Sequence, residues 1–196
     1  MSSFRLVMAL SAFLGLKVYD ADINTAYLNA KLQIPQYVNK IEGFPCRNNG
    51  SFYIVRKALY GLRQAGREWI KELDRWMTGN SYVRCSSEPC LYYKTSKDGQ
   101  ITLVLVYVDD IVCATNTEGE KIDLFAKLES RYGIKDQGLL SEYLGVRVKN
   151  DDSAICITKA YMPKQFLKSS VFMMPTRLEI HLRLDKSYHR SHQRMK

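Results

Sequence analysis

Two adjacent acidic residues, Asp109 and Asp110, separate the apolar runs 101–108 and 111–114. The runs predict two strands of a hairpin with the Asp-Asp pair between them. Two-residue turns usually contain glycine, because positive φ angles cost glycine least, and this pair has none. Adjacent carboxylates also raise each other's pKa unless a cation separates their charges. The pair therefore indicates either a solvated acidic turn or a site for Mg²⁺, which prefers oxygen ligands.

Asp22 is the third acidic position that could take part in this chemistry. It ends a predicted strand over residues 17–22. A strand that ends in Asp beside a hairpin that carries Asp-Asp can gather three carboxylates at one sheet edge. Two metal ions held there, roughly 3.5–4 Å apart, would activate an attacking hydroxyl and stabilise the leaving group of a phosphoryl transfer. The alternative is that Asp22 caps a brief helical turn predicted over 24–29.

Hydrophobic periodicity predicts the elements that position these residues. Helices are predicted over 3–14, 66–78, 118–132 and 160–170, strands over 17–22, 52–55, 101–108, 111–114, 142–148 and 154–158, and a loop over 33–50. Trp69 and Trp76 lie on the apolar stripe of the second helix, which predicts core positions rather than base-stacking platforms. Residues 173–196 form a basic tail that is predicted to be disordered.

Composition excludes some classes of protein. The chain has 196 residues, 46% of them hydrophobic, as in an ordinary globular domain. Its net charge of +9 suits a polyanionic partner such as nucleic acid, although residues 177–196 alone carry +4. The five cysteines include no C-x-x-C pair, so neither a zinc ribbon nor a disulfide framework is predicted. The apolar run 6–16 is too short to span a bilayer and favours a buried helix, with a secretory signal as the alternative.

Three motifs then occur in one order, namely Asp22-Ile-Asn-Thr-Ala-Tyr-Leu-Asn29, Leu59-Tyr-Gly-Leu-Arg-Gln-Ala-Gly-Arg-Glu-Trp69 and Tyr107-Val-Asp-Asp110. In this order they resemble copia-type retrotransposon reverse transcriptases, as do Glu42-Gly-Phe44 and Tyr143-Leu-Gly-Val146. The resemblance covers about residues 2–172. It implies an α+β fold over residues 1–172, a palm with a ferredoxin-like antiparallel sheet packed on helices and part of the fingers. The implied activity is that of an RNA-directed DNA polymerase.

The resemblance also implies individual roles. It assigns metal binding and catalysis, with two Mg²⁺ ions or Mn²⁺ as a substitute, to three residues: Asp22, Asp109 and Asp110. It assigns nucleotide binding to three more: Ala26, Tyr27 and Gln64. It assigns contacts with the primer and template to Arg63, Arg67 and Tyr107. Tyr27 would be the ring that excludes a ribose 2′-hydroxyl, with a core aromatic as the alternative.

The sequence departs from the family pattern at Ala30, where Gly is usual, and at Gly66, where Pro is usual. Past about residue 172 the resemblance ends, and the sequence is expected to be a fragment of a Pol polyprotein. Implied partners are an RNA or DNA template-primer, dNTPs and the missing fingers, thumb and RNase H regions. No membrane partner is implied, and the setting is cytoplasmic, in a virus-like particle, or nuclear rather than secreted.

Two alternatives to an active polymerase remain open. One is a catalytically inactive remnant that folds and at most binds nucleic acid through its charge. The other is a two-metal phosphodiester hydrolase that uses the same carboxylates. The hydrolase has less support, because all three histidines lie in the tail, away from the Asp motifs.

Overall fold

The computed structural model describes residues 2–39, 41–44, 52–151, 154–159 and 180–183, and every structural statement below refers to these residues. The helices are α1 (Ser2–Leu14), α2 (Ala65–Gly79) and α3 (Glu118–Tyr132), with a 3₁₀ turn at Ala26–Asn29. The strands are β1 (Lys17–Ile23), β2 (Lys31–Val38), β3 (Tyr53–Lys57), β4 (Val83–Arg84), β5 (Leu91–Thr95), β6 (Ile101–Tyr107), β7 (Asp110–Thr115), β8 (Ile134–Leu139), β9 (Glu142–Tyr143), β10 (Val146–Asp151), β11 (Ala154–Lys159) and β12 (Ile180–Arg183).

The largest sheet is antiparallel and has the order β4-β5-β6-β7-β1-β8. A second sheet has the order β12-β11-β10-β9, and β2 pairs with β3 in a separate hairpin. The fold is therefore mixed α+β with a large antiparallel sheet, as the family resemblance implied. Because β1 lies between β7 and β8, the end of β1 is held beside the β6–β7 hairpin.

The large sheet is covered on both faces, and alternation along β1 decides which side chains face which layer. Tyr19, Ala21 and Ile23 belong to the core formed with α2 and α3. Val18 belongs to the core formed with α1 and the second sheet. Asp20 and Asp22 alternate with the side chains that face α2 and α3. They therefore lie on the opposite face of the sheet, the face of Val18, near the end of β1.

The N-terminal helix is a core element, as the sequence favoured. Its buried residues are Phe4, Val7, Met8, Ser11 and Ala12. The ring of Phe4 stacks on Tyr143 at a centroid distance of 4.6 Å, which joins α1 to the second sheet. Among the described residues, no helix is long and apolar enough to cross a membrane.

The predicted loop over 33–50 is wrong in its first part, because Lys31–Val38 form β2. The proline that favoured a loop, Pro35, lies where the pairing with β3 is irregular, between Lys31 and Gln36. A proline is tolerated in such an edge strand because no regular ladder hydrogen bond is required of it. The sequence also missed β5 and β8.

The remaining predictions concern the C-terminal part of the chain. The helix predicted over 160–170 lies outside the described residues. Within the tail predicted to be disordered, residues 180–183 form β12, which pairs with β11 from Ala154 to Ile157. The rest of the tail lies outside the described residues.

Candidate active site

The β6–β7 hairpin turns at Val108 and Asp109, because Tyr107 pairs with Asp110. The predicted turn at Asp109-Asp110 is therefore wrong by one position, and Asp110 is the first residue of β7. Val108 has a φ of 58°, in the left-handed region where a β-branched residue is a true outlier. Strain of this kind costs on the order of 1–3 kcal/mol and persists only where neighbouring structure imposes it.

Trp69 on α2 supplies that constraint. Its side chain is 0% exposed, and its indole Nε1–H donates a hydrogen bond of 2.7 Å to the Val108 carbonyl oxygen. The prediction that Trp69 and Trp76 are core residues is confirmed, since Trp76 packs against the same core. The hydrogen bond was not predictable from helical spacing, and it ties the turn to the helix beneath the sheet.

Asp22, Asp109 and Asp110 converge at this turn. Asp22 is the register partner of Asp110 across β1 and β7, and facing Cα atoms in antiparallel strands lie about 4.5–5.5 Å apart. The backbone N–H of Ile23 donates a 2.8 Å hydrogen bond to the carbonyl oxygen of Asp109. The alternative that Asp22 caps the following turn is wrong, because the capping position of that turn is Thr25.

Asp20 adds a fourth carboxylate that the sequence reading missed. Burial, followed by the charge of Asp110, raises the pKa of Asp20 to about 6, and Asp22 acts in the same direction. Burial and the charges of Asp109 and Asp22 likewise raise the pKa of Asp110. The alternation Asp-Ala-Asp at 20–22 was the signal available, because it places both carboxyls on one face of a strand. We call Asp20, Asp22, Asp109 and Asp110 the aspartate cluster.

Tyr60 is a second residue of the site that sequence reasoning did not single out. Its hydroxyl donates a 3.0 Å hydrogen bond to Oδ2 of Asp109, and its ring packs on that of Tyr27 at 4.3 Å. Partial burial of the phenol, its hydrogen bond to Asp109 and the nearby negative charges raise the pKa of Tyr60 to about 12. The hydroxyl is therefore protonated and available as a donor at physiological pH.

The residues assigned to nucleotide binding lie around the 3₁₀ turn and the start of α2. Ala26 is buried, and Tyr27 is half-buried against the core. The Tyr27 hydroxyl oxygen lies 3.7 Å from the point where a Cβ on Gly66 would stand. Gln64 is half-buried at the N-cap of α2. The departure from the family pattern at Gly66 therefore lies beside Tyr27, at an ordinary van der Waals distance.

The residues assigned to the primer and template are exposed. Tyr107 is 54% exposed and is the register partner of Asp110, so it adjoins the aspartate cluster. Arg63 lies before α2 and is exposed to solvent. Arg67 is also exposed, and its guanidinium forms an ion pair of 3.2 Å with the buried Glu68. Of these three residues, the structure brings Tyr107 directly beside an aspartate.

The aspartate cluster fits a divalent cation by its chemistry. It carries several carboxylates on one strand end and one turn, and burial together with neighbouring carboxylates raises the pKa of Asp20 and of Asp110. A cation would relieve the repulsion between the carboxylates. Within the described part of the chain, no group of three or more His, Cys, Asp or Glu side chains is already close enough to hold a metal ion.

Replacing Trp69 by Phe tests the anchoring of the turn. A smaller aromatic ring remains, and the Val108 carbonyl loses its donor, which removes a hydrogen bond worth about 0.5–1.5 kcal/mol. We expect the free energy of unfolding in urea to fall by at least that amount beyond the loss for Trp76→Phe, the half-buried indole on the same helix, because Trp69→Phe also loses buried packing. Equal losses in the two variants would show that the hydrogen bond contributes nothing.

Replacing Asp20 by Asn tests the cost of holding an ionised Asp20 where it is partly buried and lies near Asp110 and Asp22. A raised pKa means that ionised Asp20 destabilises the fold fully above pH about 6, and not at all below the ordinary value of 3.8. The unfolding free energy of Asp20→Asn should therefore exceed that of the unsubstituted protein at pH 8, and the gap should close by pH 4. Urea denaturation without divalent cations measures it. The exposed Asp98→Asn serves as control, and a gap independent of pH would contradict the expectation.

Comparison with known proteins places this geometry in a family. The chain matches the family described as reverse transcriptase (RNA-dependent DNA polymerase) over residues 1–173. It is 32% identical over 149 residues to the retrovirus-related Pol polyprotein from transposon TNT 1-94 of Nicotiana tabacum. The aligned residues make up 76% of this chain and 11% of the polyprotein. The chain is 30% identical over 149 residues to the retrovirus-related Pol polyprotein from transposon RE1 of Arabidopsis thaliana, covering 76% and 10%.

A yeast relative extends the comparison. The chain is 27% identical over 158 residues to the transposon Ty1-BR Gag-Pol polyprotein of Saccharomyces cerevisiae, covering 74% of this chain and 8% of the polyprotein. The chain thus spans about a tenth of the length of these polyproteins. The family match ends at residue 173, close to where the motif resemblance ends. This chain belongs to the reverse transcriptase family, as a fragment of the kind found in the Pol polyproteins of copia-type retrotransposons.

Proposed function

We propose that this chain carries the nucleotidyl-transfer site of an RNA-directed DNA polymerase, which joins a deoxynucleotide to a primer 3′-hydroxyl. The observation that supports this most strongly is the convergence of Asp22, Asp109 and Asp110 at one strained turn, in a chain of the reverse transcriptase family. Carboxylates gathered at the ends of two neighbouring strands suit phosphoryl transfer, because that reaction depends on neutralising charge and on positioning the reacting groups.

The three aspartates would hold two Mg²⁺ ions, or Mn²⁺ in their place. Bound there, the ions would supply activation of the attacking hydroxyl and charge stabilisation of the leaving pyrophosphate. The role of the protein is to hold the carboxylates in place: Asp22 from β1, Asp110 from β7 and Asp109 from the turn between β6 and β7. Backbone pairing fixes the main chain at these positions, and the carboxylate side chains would turn toward the ions from there.

The nucleotide would lie between the aspartate cluster and the start of α2. Tyr27 would pack under the sugar and exclude a 2′-hydroxyl, with Ala26 and Gln64 beside it. Arg63, Arg67 and Tyr107 would contact the primer and template. Arginine and an exposed aromatic suit that role because they bind phosphates and stack on bases. The net charge of +9 favours the same polyanionic partner.

In this proposal the large sheet with α2 and α3 is the palm, and the β2–β3 hairpin is part of the fingers. Its substrates are an RNA or DNA template-primer and dNTPs, and other regions of the Pol polyprotein complete the enzyme. The alternative, an inactive remnant that binds nucleic acid through charge, differs from this proposal in measured activity.

Primer extension by the purified chain with Mg²⁺ and dNTPs tests the proposal. Replacing both Asp109 and Asp110 by Asn should reduce extension at least about a thousandfold, since several kcal/mol of charge stabilisation are lost. The same variant should lose any stabilisation of the fold by Mg²⁺ in thermal melts. Asp98→Asn, at the opposite end of β6, should change neither measurement.

Each outcome separates the two functions. Extension that depends on Asp109 and Asp110 supports the polymerase. Mg²⁺ stabilisation that depends on them without extension favours the inactive remnant. If Mg²⁺ stabilises the double variant as strongly as the unsubstituted protein, the metal site itself is wrong.

Replacing Tyr27 by Val tests sugar selection. A clash with one heavy atom costs on the order of 1–3 kcal/mol, so removing the ring should improve binding of ribonucleotides about ten- to hundredfold relative to deoxynucleotides. Competition with a fluorescent deoxynucleoside triphosphate measures the two affinities without requiring turnover. If the Val variant still rejects ribonucleotides as strongly, Tyr27 is a core aromatic, as the alternative interpretation holds.

A further inference from the structure

Tyr60 connects the two parts of the proposed site. It lies in the segment between β3 and α2, where the backbone N–H of Leu62 bonds to the carbonyl oxygen of Leu59 and Gly61 has a φ of 92°. The Tyr60 side chain is 64% exposed, so burial alone does not hold it. Instead, both of its functional parts are engaged, the hydroxyl with Asp109 and the ring with Tyr27.

The hydrogen bond to Asp109 restricts that carboxylate. An ionised carboxylate accepts through both oxygens, at about four lone-pair positions. The Tyr60 hydroxyl occupies one position on Oδ2, which selects one orientation of the carboxyl group and leaves Oδ1 for another partner. Hydrogen bonds from outside a metal site orient its ligands in this way, and their loss typically lowers metal affinity about 10–100-fold.

The ring contact restricts Tyr27. The two rings lie 4.3 Å apart at an interplanar angle of 49°. Tyr27 also packs against the core, and its hydroxyl adjoins Gly66 at the start of α2. Packing by several neighbours restricts the rotamers of a side chain, and an excluding ring under a sugar requires such restriction.

We propose that Tyr60 is a positioning residue that orients Asp109 for the cation through its hydroxyl and fixes Tyr27 under the sugar through its ring. The inference rests on the proposed polymerase function. It assigns separate tasks to two parts of one side chain. Substitutions that remove one part at a time therefore separate them.

The first test measures metal affinity by Mn²⁺ titration of the purified chain, followed by electron paramagnetic resonance. Tyr60→Phe removes the hydroxyl and keeps the ring, so Mn²⁺ affinity should fall about tenfold. The matched control is Tyr93→Phe, which removes the hydroxyl of an exposed tyrosine on β5, in the large sheet that carries the aspartate cluster. This control should leave the Mn²⁺ affinity unchanged. Affinity that is unchanged or higher in Tyr60→Phe overturns the orienting role.

The second test measures sugar selection by competition between deoxy- and ribonucleoside triphosphates for the same protein. Tyr60→Phe should preserve the preference for the deoxy form, because the ring is retained. Tyr60→Leu should reduce the preference severalfold, because Tyr27 loses its neighbour. A preference that is the same in Phe and Leu variants overturns the role of the ring. If Tyr60 only stabilised the fold, Tyr60→Phe would not lower the Mn²⁺ affinity while leaving the preference for deoxynucleotides unchanged.

The double variant of Asp109 and Asp110 to Asn distinguishes failure of this inference from failure of the proposed function. If Mn²⁺ binds and is lost in the double variant, the site stands, and the Tyr60 variants decide the inference. If Mn²⁺ binding is the same with and without the two aspartates, the proposed function fails, and the role of Tyr60 fails with it.

Discussion

The backbone turn at Val108 and Asp109 depends on one hydrogen bond from a buried indole. Val108 adopts a left-handed conformation that its branched side chain disfavours, and the Trp69 N–H holds its carbonyl oxygen at 2.7 Å. Asp109 lies in this turn and Asp110 follows it, so the bond holds the main chain that carries two carboxylates, together with the β6–β7 pairing and the bond from the Ile23 N–H to the Asp109 carbonyl oxygen. The same indole packs α2 against the sheet, and strain in the turn persists because the surrounding structure imposes it.

Charge is the second constraint on the site. Pairing of β1 with β7 places Asp22 opposite Asp110, and alternation along β1 brings Asp20 to the same face. Burial and the charges of neighbouring carboxylates raise the pKa of Asp20 and of Asp110, so the fold holds these two groups where their ionisation is disfavoured. A cation placed among these carboxylates would relieve the repulsion between them.

Two tyrosines, Tyr60 and Tyr27, lie between the aspartate cluster and the surface on which the proposed nucleotide would lie. Tyr60 contacts Asp109 with its hydroxyl and Tyr27 with its ring. Tyr27 in turn meets the start of α2 at Gly66. A rigid sheet and helix thus support a small set of exposed groups. This division is common in enzymes, where the scaffold supplies precision and the loops supply contact with substrate.

Periodicity in the sequence predicted the buried and amphipathic helices, the β6–β7 hairpin and the core positions of Trp69 and Trp76, because it depends on neighbours along the chain. The order of the motifs, through the family they resemble, implied the α+β class and singled out the three aspartates. The tertiary structure alone decided the rest. β8 has little apolar character and exists because β1 offers it an edge. β2 tolerates Pro35 because its pairing is irregular. Asp20 lies near Asp110 because β1 pairs with β7. Tyr60 bonds to Asp109, and Trp69 bonds to Val108, between residues that are 49 and 39 positions apart in the sequence. Such contacts arise from strand pairing and layer packing between distant segments, which no local window of sequence contains.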